Sequence, residues 1–121
     1  MKQLTIKEEE IMRLFWVNGP MFVKQLMEKF DEPKPHYNTL STFVRSLEEK
    51  GYIGYHIFGN TYQYYALVSE EEYQKKTLKE VVSKYFNDSY TRVVSTFLQE
   101  EDISIEEIQE LLEKIKQQKN K

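Results

Sequence analysis

Apolar residues along this chain change their spacing twice, and those two changes constrain the fold more than any other feature. Up to Gly51 they recur at helical period. From Tyr52 to Leu67 they crowd into two β-prone runs, and from Ser69 onward the helical period returns. In the first segment Thr5 and Glu8 have capping-box spacing, and Ile11, Leu14 and Phe15 follow at helical intervals. The cluster Asn18-Gly19-Pro20 breaks that helix. Val23, Leu26, Met27 and Phe30 predict a second, short helix. After Pro33 and Pro35 a third helix carries Leu40, Phe43, Val44 and Leu47 and ends at Gly51.

The runs Tyr52 to Phe58 and Thr61 to Leu67 are rich in Tyr, Ile and Phe, and only Gly59-Asn60 separates them. Two such runs joined by two turn-forming residues predict a β-hairpin. Three helices and then a hairpin is the winged-helix order. Beyond it, Ser69 and Glu72 repeat the capping-box spacing and open a helix striped by Leu78, Val81, Val82, Tyr85 and Phe86. Tyr90, Val93, Val94, Phe97 and Leu98 mark another helix. Ser104 caps a last one, striped by Ile105, Ile108, Leu111, Leu112 and Ile115. The expected fold is mainly α with a small β-hairpin wing: a winged helix-turn-helix over residues 1–68 and a helical dimerization region over 69–121. Three amphipathic helices outside the winged module need an apolar partner, and a second copy of the chain supplies one. Val94, Phe97, Leu98, Ile108, Leu111, Leu112 and Ile115 are the expected dimer contacts.

At 121 residues the chain has room for one such module and its extension. A 40% hydrophobic composition is enough to build a core. The net charge of −3 argues against a nucleic-acid partner only if it is evenly spread, and it is not. Residues 1–67 hold eight basic and eight acidic side chains, so the whole deficit lies in the tail. No cysteine is present, which removes disulfides, thiolate catalysis and thiolate metal sites. No apolar run has the roughly 20 residues that cross a bilayer, and the N-terminus lacks a signal-peptide core. A cytoplasmic protein without membrane insertion is expected.

The third helix is the place for base reading. At 100° per residue its core stripe leaves Asn38, Thr42, Arg45 and Glu49 pointing outward, flanked by Ser41 and Thr39. Asn and Arg form bidentate bonds to adenine and guanine edges, and Thr meets the thymine methyl. The start of the helix, which docks against bases in helix-turn-helix proteins, carries no acid. An ordinary solvated face would also be built from Ser, Thr and Asn; the hairpin that follows favours DNA. On that hairpin, alternation sets Ile53, Tyr55, Ile57, Tyr62 and Tyr64 on one face and His56, Phe58, Thr61 and Gln63 on the other. His56, Asn60 and Thr61 are candidate contacts to phosphate or the minor groove. The wing has no Lys or Arg from Tyr52 to Leu67, so it should add positioning and little affinity. The acidic runs at Glu8 to Glu10, Glu70 to Glu72 and Glu106-Glu107 fall in first turns, where they favour the positive helix end. His36 and His56 have no metal-ligand spacing around them, and no phosphate loop, nucleophile elbow or paired-acid motif occurs. Neither an enzyme nor a cofactor or metal site is expected.

The segments LTIKEEEIMRLFW, YNTLSTFVRSLEEKGYI, GNTYQYYALVSEEEYQKKTLKEVVSKYF and VVSTFLQEEDISIEEIQELLEKI together resemble the BlaI/MecI-type penicillinase repressors over nearly the whole chain. The resemblance implies a homodimeric transcriptional repressor. Each winged helix would bind half of a palindromic operator on double-stranded DNA, and the C-terminal helices would make the dimer. It also implies a membrane-bound sensor protease as a partner that triggers cleavage in the dimerization region. Familiar members often carry Arg near the positions of Ser41 and Ser46, where this chain has its single helix arginine at Arg45. Their cleaved bond is an Asn-Phe pair, and the matching pair here is Thr96-Phe97. A branch that senses copper through C-terminal cysteines does not fit a chain without cysteine. The alternative is a winged-helix protein-interaction module, favoured by the acidic pI and the wing without cations.

Overall fold

The structure, a computed structural model, describes residues 2–119. Helix α1 (Ile6–Asn18) leads through a two-residue strand β1 (Met21–Phe22) into α2 (Val23–Glu28) and α3 (Tyr37–Glu49). The hairpin β2 (Ile53–Phe58) and β3 (Thr61–Ala66) follows, then α4 (Glu70–Phe86), α5 (Tyr90–Gln99) and α6 (Ile105–Lys119). The fold is mainly helical with one small antiparallel sheet, as expected of a winged helix with C-terminal helices.

Each boundary has a local cause. Thr5 caps α1 by accepting from the Glu8 backbone N–H at 3.2 Å, and the Glu8 carboxylate accepts from the Thr5 N–H at 2.9 Å. The helix stops at Gly19, whose φ of +77° suits a residue without a Cβ. At the end of α3, Gly51 takes φ +86°, and its N–H donates to the Glu48 carbonyl while the Tyr52 N–H donates to that of Leu47. This is a Schellman closure, and it turns the Tyr52 ring into the core. In the hairpin, Gly59 is the one turn residue with positive φ (+60°), the pattern of a type II′ turn.

The sheet holds one strand that the sequence pattern did not predict. Strand β1 pairs antiparallel with β3, Met21 opposite Tyr64 and Phe22 opposite Gln63, giving the order β1-β3-β2. The helical spacing of apolar residues breaks at Pro20 and resumes at Val23, and a two-residue strand has no period of its own. Hairpin alternation agrees with the sequence: Tyr55 pairs with Tyr64 and Ile57 with Tyr62, so the stacked Tyr55 and Tyr62 share the face of Ile53 and Tyr64. Ile53 and Tyr64 are buried, whereas the outer half of that face is open, Ile57 being 65% exposed.

One core serves the module. Ile11, Met12 and Phe15 of α1, Leu26 of α2 and Leu40, Val44 and Leu47 of α3 meet Tyr52, Ile53, Tyr64 and Val68. The Trp16 indole N–H donates to the Val68 carbonyl at 2.9 Å, and the Tyr52 hydroxyl to the Lys2 carbonyl at 2.7 Å. This compact unit runs on to Gln74, because Tyr73 in the first turn of α4 packs on the rings of Trp16 and Tyr52 and donates to Glu9. A second unit begins at Lys75. Within it, Ser89 caps α5 and Ser104 caps α6, and α5 ends in a Schellman closure at Glu101, φ +61°. Among the described residues, neither α5 nor α6 buries a side chain, and α4 buries only Val82.

Glu8, in the first turn of α1 as expected, has a further task that its place in an acidic run does not announce. Its side chain is 1% exposed and accepts from three donors: Lys50 Nζ at 2.6 Å, Ser46 Oγ at 2.7 Å and the Thr5 N–H. Burial alone would raise its pKa, but Lys50, Thr5 and Ser46 together bring it from the ordinary 4.5 to about 2. A carboxylate held low contributes stability that is complete above pH 4.5 and is lost as pH falls towards 2. The shift corresponds to about 3 kcal/mol. We therefore expect Glu8→Gln to lower unfolding stability by about 3 kcal/mol at pH 7, since it leaves Lys50 without its counter-charge. The deficit relative to wild type should shrink by more than half at pH 3. Urea melts at the two pH values check this; a deficit equal at both would remove the ion pair as its cause.

Candidate nucleic-acid interface

Helix α3 presents the outward face that its stripe implies. Leu40, Val44 and Leu47 are buried, Asn38, Thr39, Thr42, Arg45 and Glu49 are exposed, and Ser41 is half-buried on the flank. No acid stands in its first turn. His36 is the N-cap, its Nδ1 accepting from the Asn38 N–H at 3.2 Å, so this histidine has a structural task. The Thr42 hydroxyl donates back to the Asn38 carbonyl, and the Arg45 Nε–H donates to the Ser41 carbonyl at 3.4 Å. Arg45 thus lies back along the helix towards its start, and its remaining N–H donors stay available.

A cleft of about 350 Å³ separates the start of α3 from the wing tip. Tyr37 and Ser41 line one wall; Asn60, Thr61, Tyr62 and Tyr64 line the other. Phe22 of β1 and Val23, Lys24 and Gln25 at the start of α2 complete its lining. Strand β1 is what brings α2 there, since its pairing with β3 fixes Phe22 beside the hairpin. Three of the expected contact residues (Ser41, Asn60 and Thr61) therefore converge on one feature. His56 does not join them: its ring is stacked on the Tyr65 ring, centroids 4.8 Å apart, and it lines no part of the cleft.

The cleft has further residues that sequence reasoning did not single out as a site: Lys24, Tyr37 and Tyr62. Tyr37 and Tyr62 remain 42% and 44% exposed. Burial, with Glu48 nearby, pushes the Tyr64 hydroxyl above its ordinary value, so it remains a neutral donor. None of the lining side chains is a carboxylate. Among the described residues no cluster of His, Asp and Glu could hold a metal ion, and no helix is long and apolar enough to cross a membrane.

In the C-terminal unit the expected dimer contacts are open. Phe97 is 48% exposed and Leu111 is 53% exposed; Val94, Leu112 and Ile115 are exposed as well, and Leu98 and Ile108 are half-buried. The Thr96-Phe97 pair lies inside α5, with the Thr96 hydroxyl donating to the Arg92 carbonyl at 2.8 Å.

The sequence profile described as penicillinase repressor matches residues 4–117. Methicillin resistance regulatory protein MecI of Staphylococcus aureus strain N315 is 28% identical over 110 residues, covering 90% of this chain and 89% of its own length. The MecI of Mammaliicoccus sciuri is 27% identical over the same coverage. The penicillinase repressor of Bacillus licheniformis is 22% identical over 120 residues, which is 98% of this chain and 94% of its own length.

Proposed function

The chain belongs to the penicillinase repressor family, and on that premise we propose that it is a homodimeric transcriptional repressor. It acts in the cytoplasm on double-stranded operator DNA and is not an enzyme. The observation that carries this reading is the acid-free, outward start of α3, with Asn38, Thr39, Thr42 and Arg45 exposed beside a protruding wing. A helix of that kind fits the major groove and offers donors and acceptors that distinguish base pairs. Asn60 and Thr61 at the wing tip suit phosphate contacts that set register. Two modules joined through their tails would match the two halves of a palindrome.

The unburied stripes of α5 and α6 support the dimer, because apolar helix faces left in water are a standing cost of about 25 cal/mol per Å². Release follows from the same arrangement. Cutting the tail, at Thr96-Phe97 or elsewhere, uncouples the modules, and a membrane-bound sensor protease is the partner suited to that step. Because the Thr96-Phe97 bond sits within a helix, α5 must open before a protease can take it in extended form.

A gel shift on the DNA upstream of the chain's own gene, across a salt series, tests the reading. Retardation that weakens with salt supports it. No retardation at about 50 mM salt would return the protein-interaction alternative. Two substitutions refine the test. Arg45→Ala should weaken operator binding by about 1–3 kcal/mol, roughly five- to 150-fold; binding within twofold of wild type would refute the placement of α3 in the groove. Leu111→Glu would put an unpaired charge into an apolar contact, so sedimentation should show monomer at low micromolar concentration. A wild-type chain that is itself monomeric there would end the dimer reading.

A further inference from the structure

We propose that the cleft between the start of α3 and the wing tip is the channel for one sugar–phosphate strand of the operator, held there by Lys24 and by the hydroxyls of Tyr37 and Tyr62. The inference rests on the repressor reading and adds to it the residues that replace a basic wing. A helix in the major groove and a wing in the neighbouring minor groove must straddle the strand that separates the two grooves. The cleft lies between α3 and the wing, so that strand is its natural occupant.

Its chemistry fits a phosphodiester. No carboxylate lines it, and Lys24 is the one cation among the described residues of its lining. Among the described residues, Lys24 is in no ion pair, in contrast to Lys7, Lys34 and Lys50. The tyrosines divide in the same way. The hydroxyls of Tyr52 and Tyr73, which lie in the core region, donate to the Lys2 carbonyl and the Glu9 carboxylate, both at 2.7 Å. Those of Tyr37 and Tyr62 donate to no described residue, although their rings form the cleft walls. Tyr62 is fixed by stacking on Tyr55, with ring centroids 4.4 Å apart, so its hydroxyl is held in position at little further entropic cost. Free neutral donors on packed rings, next to one free cation, are what a phosphate strand can use.

The two kinds of donor leave different signatures. A lysine at a phosphate releases a counterion and contributes about 0.9 to the slope of log K against log salt; a tyrosine hydroxyl releases none. Lys24→Ala should therefore flatten the slope by roughly two for a dimer with two equivalent modules, while Lys24→Arg keeps it. Tyr37→Phe and Tyr62→Phe keep the rings and remove only the hydroxyls. Each should weaken binding about three- to tenfold per module at every salt concentration and leave the slope unchanged. Gel shifts with the full chain on its own upstream DNA, run beside thermal melts, read both effects. Suppose the wild type binds but Lys24→Ala keeps the slope and the double Tyr→Phe variant keeps the affinity. The channel is then refuted and the repressor reading stands. A melting loss that accounts for the weakened binding would likewise refute the phosphate role. A wild-type chain that leaves the DNA unshifted overturns the repressor reading, and the channel with it.

Discussion

The Glu8 carboxylate is the constraint around which the winged module is arranged. An ionised carboxylate removed from water without partners costs far more than a single apolar contact returns, so the first turn of α1 can be buried only where donors await it. They come from two distant places: the Thr5 N–H in the helix's own cap, and Ser46 with Lys50 in the last turn of α3. Lys50 also donates to the Gln3 carbonyl at 3.2 Å, so the segment before α1 is tied down at the same point. One residue beyond Lys50, Gly51 turns the chain and sends Tyr52 into the core. The end of α3 is thereby held from two sides, by charge and by shape. With Leu40, Val44 and Leu47 facing inward, that fixes the roll of the helix and so decides that Asn38, Thr42 and Arg45 face out.

Much of this was legible in the sequence, for reasons that differ from one element to the next. The stripes of α1 and α3 and the Gly59-Asn60 turn are local signals, and local signals survive folding. The capping role of Thr5 was legible for the same reason. The burial of Glu8 was not, because Lys50 lies 42 residues away and an acid in a first turn is already accounted for by the positive helix end. Strand β1 was hidden because its pairing with Tyr64 and Gln63 is its only reason to be extended. The cleft is a further step removed. Alternation already set Tyr62 and Tyr64 on a face away from His56, but only β1 and α2 together bring Lys24 to that face. Ser41, Asn60 and Thr61 could be named from sequence; that they line one cleft could not.

Charge poverty links the candidate interface to the rest of the chain. The module is neutral by formal count over residues 1–67, and its wing has no cation. Three of its eight basic residues, Lys7, Lys34 and Arg13, are in surface ion pairs, and Lys50 is committed to Glu8. Few cations remain for phosphates. A DNA contact built on this surface has to draw on hydrogen bonds and shape more than on counterion release, which makes each module selective in geometry and weak in affinity.

Weak modules give the tail its importance in the proposed repressor. Joining two of them makes the second contact intramolecular and multiplies affinity by roughly 10²–10⁴ without any new contact to DNA. That factor is about 3–5 kcal/mol, a few times less than the free energy that holds a typical domain folded. A signal that acts on the module would have to dismantle a core in which Ile11, Leu26, Leu40, Val44 and Leu47 are wholly buried. A signal that acts on the tail would, in the proposed dimer, have only to separate helices α5 and α6, which bury no side chain among the described residues, from their partner. Local opening is cheapest where a helix has the fewest buried contacts. In the proposed repressor the switch would therefore belong in the tail, leaving the module folded whether the operator is occupied or free.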